Sequence, residues 1–433
     1  MIHIRQLFPA LPASAAFPAF PAFLATSLAG SAFLFLFLFL FLFADAAPAA
    51  DPPAVEWARI YGGSGTDRVE TAAATPDGGA VLAVSSSSPD GDFGPALGGD
   101  DVWIVRIAPD GEMLWKTALA GSGYDYVGWV APAPDGGFLA VGNSESKDGS
   151  FAFPRGKYGS DDWAAKLDAS GAVQWIKFAD SLKTPYINVR AAPLTDGGML
   201  VASAWAEGGN ARIPGCEVGG IRVWTISAGG EDGDSFCAPL DLRGPFSFAR
   251  APGGILAAAY PASGGGNFPP RIAAFTPEGE LLWDVPAAQA SGTPVSLAPV
   301  PGGGFVGASG LDDGRSWLVG TGADGRGAWS AESPGGHVSA IVPSGGGFLA
   351  VGVIREDGDF NLQAFRTDAA GSVLWTTVLG GSGVDEGTAA AELADGGLLA
   401  AGYTTSGDGD LENLKPAGRP GGGLSAWVVK FRP

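Results

Sequence analysis

Short apolar runs recur along the chain, and a tight turn precedes each of them. Strong copies begin at Asp77-Gly78-Gly79, Asp135-Gly136-Gly137, Asp196-Gly197-Gly198 and Asp395-Gly396-Gly397, and weaker copies begin at Gly253-Gly254, Gly303-Gly304 and Gly346-Gly347. Successive copies stand 43 to 61 residues apart. Seven units at this spacing predict the blades of a β-propeller, in which each repeat contributes one small sheet.

Two further anchors in the repeats predict four strands per blade. One is an alternating strand that often starts with Trp, as in residues 102–107, 163–167 and 427–431. The other is a turn glycine followed four residues later by Trp, at Gly111/Trp115, Gly171/Trp175, Gly279/Trp283, Gly325/Trp329 and Gly371/Trp375. In the second repeat we expect strands near 127–133, 138–143, 162–167 and 172–178, and these lengths are typical of sheets.

The two ends of the repeat region complement each other. Trp57 has the setting of a fourth-strand Trp without a turn glycine before it, and the last repeat ends with its third strand at residues 427–431. Residues 54–60 are therefore expected to complete the last blade and to close the ring, which would remove exposed sheet edges. The predicted fold is all-β, a seven-bladed β-propeller of four-stranded antiparallel blades over residues 54–433.

The N-terminus has the pattern of a targeting segment. No charged residue occurs between Arg5 and Asp45, and residues 33–43 alternate strictly between Phe and Leu. The apolar run ends at Ala44-Asp45-Ala46, which matches the small-x-small pattern of signal peptidase sites. We expect residues 1–46 to be a signal peptide, or an uncleaved membrane anchor because the run is long enough to span a bilayer. Residues 47–53 would be a linker, and the protein would be secreted, periplasmic or on the cell surface, without membrane insertion after cleavage.

Composition supports a folded domain. The chain has 70 Gly and 33 Pro among 433 residues, which suits many short strands and turns. Apolar residues make up 46% and charged residues 16%, the opposite of the balance in a disordered chain. A net charge of −20 repels phosphate backbones, so nucleic acid is not expected as a partner. We expect a monomer.

The repeats share a consensus that allows a comparison. They read W-x-x-x-x-G-G-S-x-x-D, then D-G-G, then D-x-W-x-x-K-x-D-x-x-G-x-x-x-W, most clearly in residues 57–115, 115–175 and 375–430. In this they resemble the repeats of bacterial secreted and envelope β-propellers and, more distantly, those of quinoprotein-like propellers. The resemblance covers nearly all of the chain after residue 46, although residues 180–370 depart from the pattern. It implies a propeller fold, whose members range from enzymes to scaffolds.

Acidic loops recur in the first, second and seventh repeats, which would be neighbours in a closed ring. The loops between blades carry Asp67, Asp125 and Asp385, and the loops between second and third strands carry Asp90, Asp92, Asp408 and Asp410. Carboxylates beside glycine-rich backbone predict a site for Ca²⁺ or a polyhydroxylated ligand, and Tyr124, Tyr126 and Trp129 could stack on a sugar. The alternative is ordinary turns stabilised by Asp, which the missing EF-hand spacing favours.

Trp and Cys positions have structural interpretations. Because they share one repeat position, the Trp side chains predict wedges between blades rather than a ligand girdle: Trp57, Trp115, Trp175, Trp283, Trp329 and Trp375. In the third repeat, Cys237 stands where this Trp is expected. Cys216 and Cys237 are the two cysteines of the chain and could form a disulfide outside the cytoplasm; free buried thiols are the alternative.

Few residues point to catalysis. The two histidines are His3, in the leader, and His337. A His-rich zinc site would need more histidines, and a Ser-His-Asp triad would have to use His337. No cofactor is expected, apart from calcium if the acidic loops bind it. The sequence predicts a non-catalytic extracytoplasmic propeller that binds a protein, glycan or surface polymer. The alternatives are a carbohydrate-active enzyme that uses the loop carboxylates and a quinoprotein-like propeller.

Overall fold

The computed structural model describes residues 50–152, 161–179, 189–205, 220–238, 240, 246–261, 270–287, 293–300, 302–310, 314–412 and 423–433. The predicted leader, residues 1–46, lies outside this set. The described residues form twenty-eight β-strands and two short 3₁₀ turns. None of them belongs to a helix long and apolar enough to cross a membrane. Ala49–Pro433 is one compact unit, and its all-β class is confirmed.

The strands form seven antiparallel sheets of four strands each, which confirms the predicted seven-bladed propeller. Blade 1 contains β2 (Asp67–Ala74), β3 (Ala80–Ser86), β4 (Asp101–Ile107) and β5 (Met113–Leu119). Blade 2 contains β6 (Asp125–Pro132), β7 (Phe138–Ser144), β8 (Asp161–Leu167) and β9 (Val173–Ala179). Blade 3 contains β10 (Val189–Pro193), β11 (Met199–Trp205), β12 (Gly220–Ile226) and β13 (Asp232–Ala238). Blade 4 contains β14 (Ser247–Arg250), β15 (Leu256–Tyr260), β16 (Arg271–Phe275) and β17 (Leu281–Pro286).

The remaining blades continue this order. Blade 5 contains β18 (Thr293–Pro299), β19 (Phe305–Gly310), β20 (Ser316–Thr321) and β21 (Gly327–Glu332). Blade 6 contains β22 (His337–Ser344), β23 (Gly347–Glu356), β24 (Asp359–Thr367) and β25 (Val373–Leu379). Blade 7 contains β26 (Asp385–Glu392), β27 (Leu398–Thr404), β28 (Ser425–Phe431) and the first strand of the chain, β1 (Val55–Tyr61).

The first strand of the chain pairs with the last. β1 runs antiparallel to β28, with Trp57 opposite Lys430 and Tyr61 opposite Ala426. This is the pairing expected for residues 54–60. That the strand closes a ring stays a prediction.

The two ends of the sheets carry different loops. First strands of neighbouring blades contact one another, for example β2 with β6 and with β26. We call the end where first strands begin and second strands end the loop face, because it carries the loops between blades and the loops between second and third strands. The opposite end, the turn face, carries the short hairpins within each blade.

On the turn face, a buried cation ties a turn to its sheet. In blade 2, Lys166 is 2% exposed and pairs with Asp135 of the Asp-Gly-Gly turn. Asp135 also accepts the N–H of Gly137 at 3.1 Å, and its hydrogen bond with Lys166 lowers the pKa of its carboxyl. An unpaired charge in such a buried place would be costly, so the pair fixes the turn. Blades 1 and 7 repeat the arrangement with Arg106/Asp77 and Lys430/Asp395.

The hydrophobic core is divided among the interfaces between neighbouring blades. Seven clusters of buried side chains each draw on two adjacent sheets. In the interface of blades 1 and 2, Val102 and Ile104 of β4 meet Trp163 and Ala165 of β8. Alternation along each strand thus sends successive side chains to opposite neighbours, so a third strand needs apolar residues at almost every position.

The predicted Trp wedges lie between blades and bind the next turn. The indole N–H of Trp115 donates to the carbonyl of Ala169 at 3.2 Å, and a Cβ on Gly171, which has a φ of +85°, would lie 2.6 Å from the Trp115 ring. Only glycine therefore fits above the ring. Trp57, Trp175 and Trp283 donate in the same way to Pro109, Ala228 and Ala323.

Three wedge positions differ in detail. Trp329 packs beneath Gly371, and Trp375 is 5% exposed and packs against Phe431, with ring centroids 6.3 Å apart. In blade 3 the residue beneath the next turn glycine, Gly279, is Phe236. The expectation that Cys237 takes this place was therefore wrong: β13 carries Phe236 opposite Val223 and Cys237 opposite Arg222, so the aromatic ring reaches the wedge position.

Candidate functional site

The acidic residues predicted from the sequence lie on the loop face of blades 7, 1 and 2. Asp67, Asp125 and Asp385 are the first residues of the first strands of these blades, and each is 0% exposed. Their side chains therefore point into the protein rather than toward a ligand in solvent. Burial raises the pKa of Asp67 and of Asp125, while hydroxyl and N–H donors oppose the shift.

Each of these carboxylates is held by three donors. Asp67 accepts hydrogen bonds from the N–H of Gly63 at 2.8 Å and from the hydroxyls of Ser86 at 2.5 Å and Ser88 at 2.8 Å. We call this arrangement the carboxylate latch, because it ties the loop between blades to the end of the second strand. The latch recurs with Gly121, Ser144 and Ser146 around Asp125 and with Gly381, Thr404 and Ser406 around Asp385.

The hydroxyl residues of the latch were not predicted from the sequence. They follow each aspartate by 19 and 21 residues: Ser86 and Ser88, Ser144 and Ser146, Thr404 and Ser406. The hydroxyl-x-hydroxyl spacing places both side chains on one face of an extended segment. The recurrence of these hydroxyl residues in three repeats could have predicted the latch. It was missed because the repeat was defined by the Asp-Gly-Gly turns alone.

A second set of carboxylates holds the backbone of the same loops. Asp90 accepts the N–H of Ser64 at 2.6 Å, and Asp408 accepts that of Ser382 at 2.8 Å. Asp92 and Asp410 accept the N–H groups of Gly62 at 2.9 Å and Gly380 at 3.0 Å. The Ser382 N–H lowers the pKa of Asp408. In blade 2, Asp148 holds Ser122 in the same way at 2.7 Å.

This geometry favours the turn interpretation of the acidic loops over a calcium site. The carboxylate oxygens accept hydrogen bonds from N–H and O–H donors, whereas a calcium ion needs them as ligands together with other oxygen atoms. Among the residues described, no group of three or more Asp, Glu, His or Cys side chains is arranged to hold a metal ion. The Asp357-Gly358 loop of blade 6 is likewise a tight hairpin, with Asp357 at a φ of +52°.

The acidic loops also deliver an apolar side chain into the core. Phe93, Phe151 and Leu411 each follow the Asp-Gly-x part of their loop, and each is at most 1% exposed. They pack respectively into the interfaces of blades 7 and 1, 1 and 2, and 6 and 7. We call these residues plugs. Because the plugs are buried between blades, they hold the acidic loops in place. This packing role accounts for the recurrence of the Asp-Gly-x-plug sequence without a ligand.

Above the latched loops lies an aromatic pair formed by the exposed Tyr124 and the half-buried Tyr126. Tyr124 is 51% exposed, and its ring lies parallel to that of Tyr126, with centroids 6.4 Å apart and an interplanar angle of 8°. A Cβ on Gly99 would lie 2.6 Å from the Tyr124 ring, so the ring rests on glycine backbone. Burial and then the charges of Asp100 and Glu145 raise the pKa of Tyr126. The pair thus stands beside acidic groups.

Other exposed apolar side chains extend this face. Leu97 is 58% exposed in the loop between the second and third strands of blade 1. Val384 precedes Asp385 and forms a β-bridge with Phe360 of blade 6, and these two are 36% and 42% exposed. Trp129, by contrast, is half-buried and packs against the core between blades 2 and 3, so it is not part of the exposed surface.

The inner strands add a second group of polar residues. Tyr403 donates a hydrogen bond from its hydroxyl to Glu386, and Arg68 pairs with Glu70 at 3.5 Å. His337 begins β22, and its burial lowers its pKa although Glu386 opposes this.

Of the two cysteines, Cys237 lies in the described part of the chain and is disulfide-bonded. Cys216, the other cysteine of the chain, lies outside the described residues. The free-thiol alternative therefore does not apply to Cys237.

Comparisons with known proteins support the fold alone. No protein-family model and no curated protein matches the chain. Among solved structures, the WD40 β-propeller domain of Doa1 is similar, with a TM-score of 0.51 and 12% identity, over 86% of this chain and 96% of that chain. At this identity the likeness shows a shared β-propeller architecture.

Proposed function

We propose that the protein is a non-catalytic binding and scaffold propeller outside the cytoplasm, and that it presents the loop face of blades 7, 1 and 2 to a protein, glycan or surface polymer. The observation that carries this proposal is the exposed Tyr124, stacked on the half-buried Tyr126 above the carboxylate latches. Large exposed aromatic side chains on a fixed framework are typical of binding surfaces.

The latches make this surface rigid before any partner binds. Loops whose N–H groups already bind carboxylates lose little conformational freedom on association, and this preorganisation favours affinity. Tyr124 also has few side-chain rotamers to lose, since it rests on the backbone at Gly99. The Gly-Ser-Gly loops therefore serve as a support for the aromatic pair.

Among the partner classes, the chemistry of the surface favours a glycan as the first to test. Asp100 and Glu145, whose charges act on Tyr126, are acceptors for sugar hydroxyls, and the tyrosine rings offer a platform for the apolar face of a sugar. A neutral polysaccharide also avoids repulsion by the net charge of −20.

The alternative of glycoside hydrolysis by Asp67, Asp125 and Asp385 fits the geometry poorly. A general acid or nucleophile must reach the glycosidic bond, and these carboxylates are 0% exposed and already accept three hydrogen bonds each. We therefore expect binding without turnover.

A binding screen with a matched surface control tests the proposal. The purified protein is applied to a glycan array and to polysaccharide gels, and Tyr124→Ala is compared with Leu282→Ala, which removes an apolar side chain 46% exposed on blade 4. We expect Tyr124→Ala to weaken binding about tenfold, from the loss of a stacking contact, and Leu282→Ala to leave it unchanged. Equal binding by both variants, or release of reducing ends from the bound glycan, would contradict the proposal.

A further inference from the structure

A cleft of about 280 Å³ opens between blades 2 and 3. Its lining includes Asp162 of β8, Lys177 of β9, Arg222 and Trp224 of β12, and Asp232 and Ser235 of β13. The volume is at the lower end for small-ligand pockets. It is large enough for one sugar or amino-acid unit.

One wall of the cleft departs from the repeat. The residue five positions before the end of the third strand faces the next blade, and in blades 1, 6 and 7 it belongs to an apolar cluster as Val102, Leu362 and Ala426. In blade 2 the corresponding residue is Asp162, which is 7% exposed. A carboxylate has replaced an apolar side chain at a position that builds the core of other interfaces.

The opposite wall of the cleft, in blade 3, also differs from the repeat, and here a basic residue replaces an apolar one. The residue four positions before the end of the third strand is Trp103 in blade 1, Trp163 in blade 2 and Trp427 in blade 7. In blade 3 it is Arg222, whose guanidinium lies 5.1 Å from the centre of the Trp224 ring. An acid and a base thus face the interface of blades 2 and 3, whereas two apolar residues meet at these positions in the interfaces of blades 1 and 2, 6 and 7, and 7 and 1.

In the interface of blades 1 and 2, the space beside the Trp is filled by a plug. Phe151 packs 5.6 Å from Trp163, measured between ring centroids, and contacts the same cluster as Val102. Between blades 2 and 3, the space beside Arg222 and Asp162 is the polar cleft. The blade 3 loop that corresponds to the plug loop falls largely in residues 206–219, outside the described set.

Among the residues that the structure describes, the charged groups of the cleft are not all paired. The Nε of Arg222 is buried and has no hydrogen-bond partner among the described residues. Lys177 is 3.7 Å from Asp232, longer than a hydrogen bond. Asp162 accepts hydrogen bonds from Ser203 at 2.6 Å and Asn143 at 3.1 Å, and burial raises its pKa. A buried donor without a partner is costly unless a ligand satisfies it.

We propose that this cleft binds a small ligand that carries a carboxylate together with hydroxyl or amino groups. Arg222 and Lys177 donate to the carboxylate, since guanidinium groups bind carboxylates through paired N–H donors. Asp162 and Asp232 accept from the hydroxyl or amino groups. Two acids and two bases match a ligand with both kinds of group, such as a uronic acid unit or an amino acid. This site shares no residue with the loop face and does not depend on its proposed role.

Isothermal titration of the full chain tests the site with three probes: sodium D-glucuronate, glycine and D-glucose. We expect saturable binding of at least one of the two carboxylates and about tenfold weaker binding of glucose, because it lacks the charge-assisted hydrogen bonds. Stronger binding of glucuronate identifies a sugar acid, and stronger binding of glycine identifies an amino acid. If neither carboxylate binds, or glucose binds equally well, the proposal fails.

Two variants place the binding in the cleft. Arg222→Trp introduces the residue that blades 1, 2 and 7 carry at this position. Lys177→Ala removes a cation that is 38% exposed, so we expect this variant to fold like the wild type. We expect Arg222→Trp to weaken carboxylate binding at least about tenfold and Lys177→Ala by about threefold. The control is Lys116→Ala, which removes a cation that also lies over a Trp, 5.2 Å from the Trp103 ring, but outside the cleft. Wild-type affinity in Lys177→Ala, or equal loss in Lys116→Ala, would overturn the assignment.

Discussion

Blades 7, 1 and 2 and blades 3 to 6 share one architecture but differ in how their loops are held. The first group begins its first strands with Asp67, Asp125 and Asp385, and each of these forms a latch. The second group begins its first strands with Val189, Ser247, Thr293 and His337. Blade 4 also has shorter strands, such as β14 with four residues and β15 with five, where blade 1 has eight and seven.

The difference between the two groups shows that the features that form a blade are distinct from those that hold its loops. All seven blades keep an apolar cluster at each interface and glycines at positive φ in their hairpins. These features suffice for the fold, because blades 3 to 6 form sheets without the aspartate latch. The aspartate latch is additional, and among the described residues it occurs in the three blades on whose loop face Tyr124 is exposed.

The largest effect that would test this comparison is the loss of a latch carboxylate. Asp67→Ala leaves the Gly63 N–H and the Ser86 and Ser88 hydroxyls without their acceptor in a buried place. Each unsatisfied buried group costs about 1 to 3 kcal/mol, part of which relaxation recovers, so we expect a loss of about 3 kcal/mol. Urea denaturation measures the change.

The matched control is Asp408→Ala, which removes an exposed carboxylate that also binds a loop N–H. Solvent can replace that carboxylate as acceptor, so its effect should be much smaller than that of Asp67→Ala. If the two substitutions lower the free energy of unfolding equally, burial of the latch carboxylate is not what stabilises the loops. The latch would then not distinguish blades 7, 1 and 2 from blades 3 to 6.

The fold could be predicted from sequence because its determinants repeat. Asp-Gly-Gly turns and the Gly-x-x-x-Trp spacing each encode a local geometry, and seven imperfect copies support one another even where residues 180–370 depart from the pattern. For blade 2 the predicted strands differ from β6 to β9 by one or two residues at most ends. The unpaired third strand at the C-terminus likewise indicated the pairing of β1 with β28.

The candidate sites were less predictable, because they depend on contacts between segments distant in sequence. The side-chain direction of Asp67 is decided by Ser86 and Ser88, which come after a whole hairpin, so the same Gly-Ser-Gly-x-Asp pattern suits either a ligand or a latch. Asp162 and Arg222 were missed because each matters only as a departure from the repeat. Aligning the third strands would have shown both.

A smaller effect concerns the wedge of blade 3. Phe236→Trp adds an indole N–H beneath Gly279. At the corresponding wedges, Trp115 and Trp283 donate to the carbonyl two residues before the turn glycine of the next blade. The carbonyl of Pro277 has that position here. We expect a gain of about 0.5 to 1 kcal/mol, the net value of one hydrogen bond, measured by urea denaturation.

The reverse change provides the control for this transplant. Trp115→Phe keeps an aromatic wedge and removes only the N–H to Ala169, so it should lose about as much as Phe236→Trp gains. A loss of stability in Phe236→Trp, together with no loss in Trp115→Phe, would show that the wedge acts by shape alone and that blade 3 is already optimal in this respect.

The smallest expected effect is that of calcium on thermal stability. A ligand that binds only the folded state raises its melting temperature, but a calcium ion at Asp67, Asp125 or Asp385 would have to displace N–H and O–H donors that already occupy these oxygens. We therefore expect the melting temperatures in millimolar CaCl₂ and in EDTA to agree within about 1 °C. A rise of several degrees that disappears in Asp385→Asn would instead make the latches of blades 7, 1 and 2 a metal site, and the Tyr124/Tyr126 pair above them would then depend on calcium for its support.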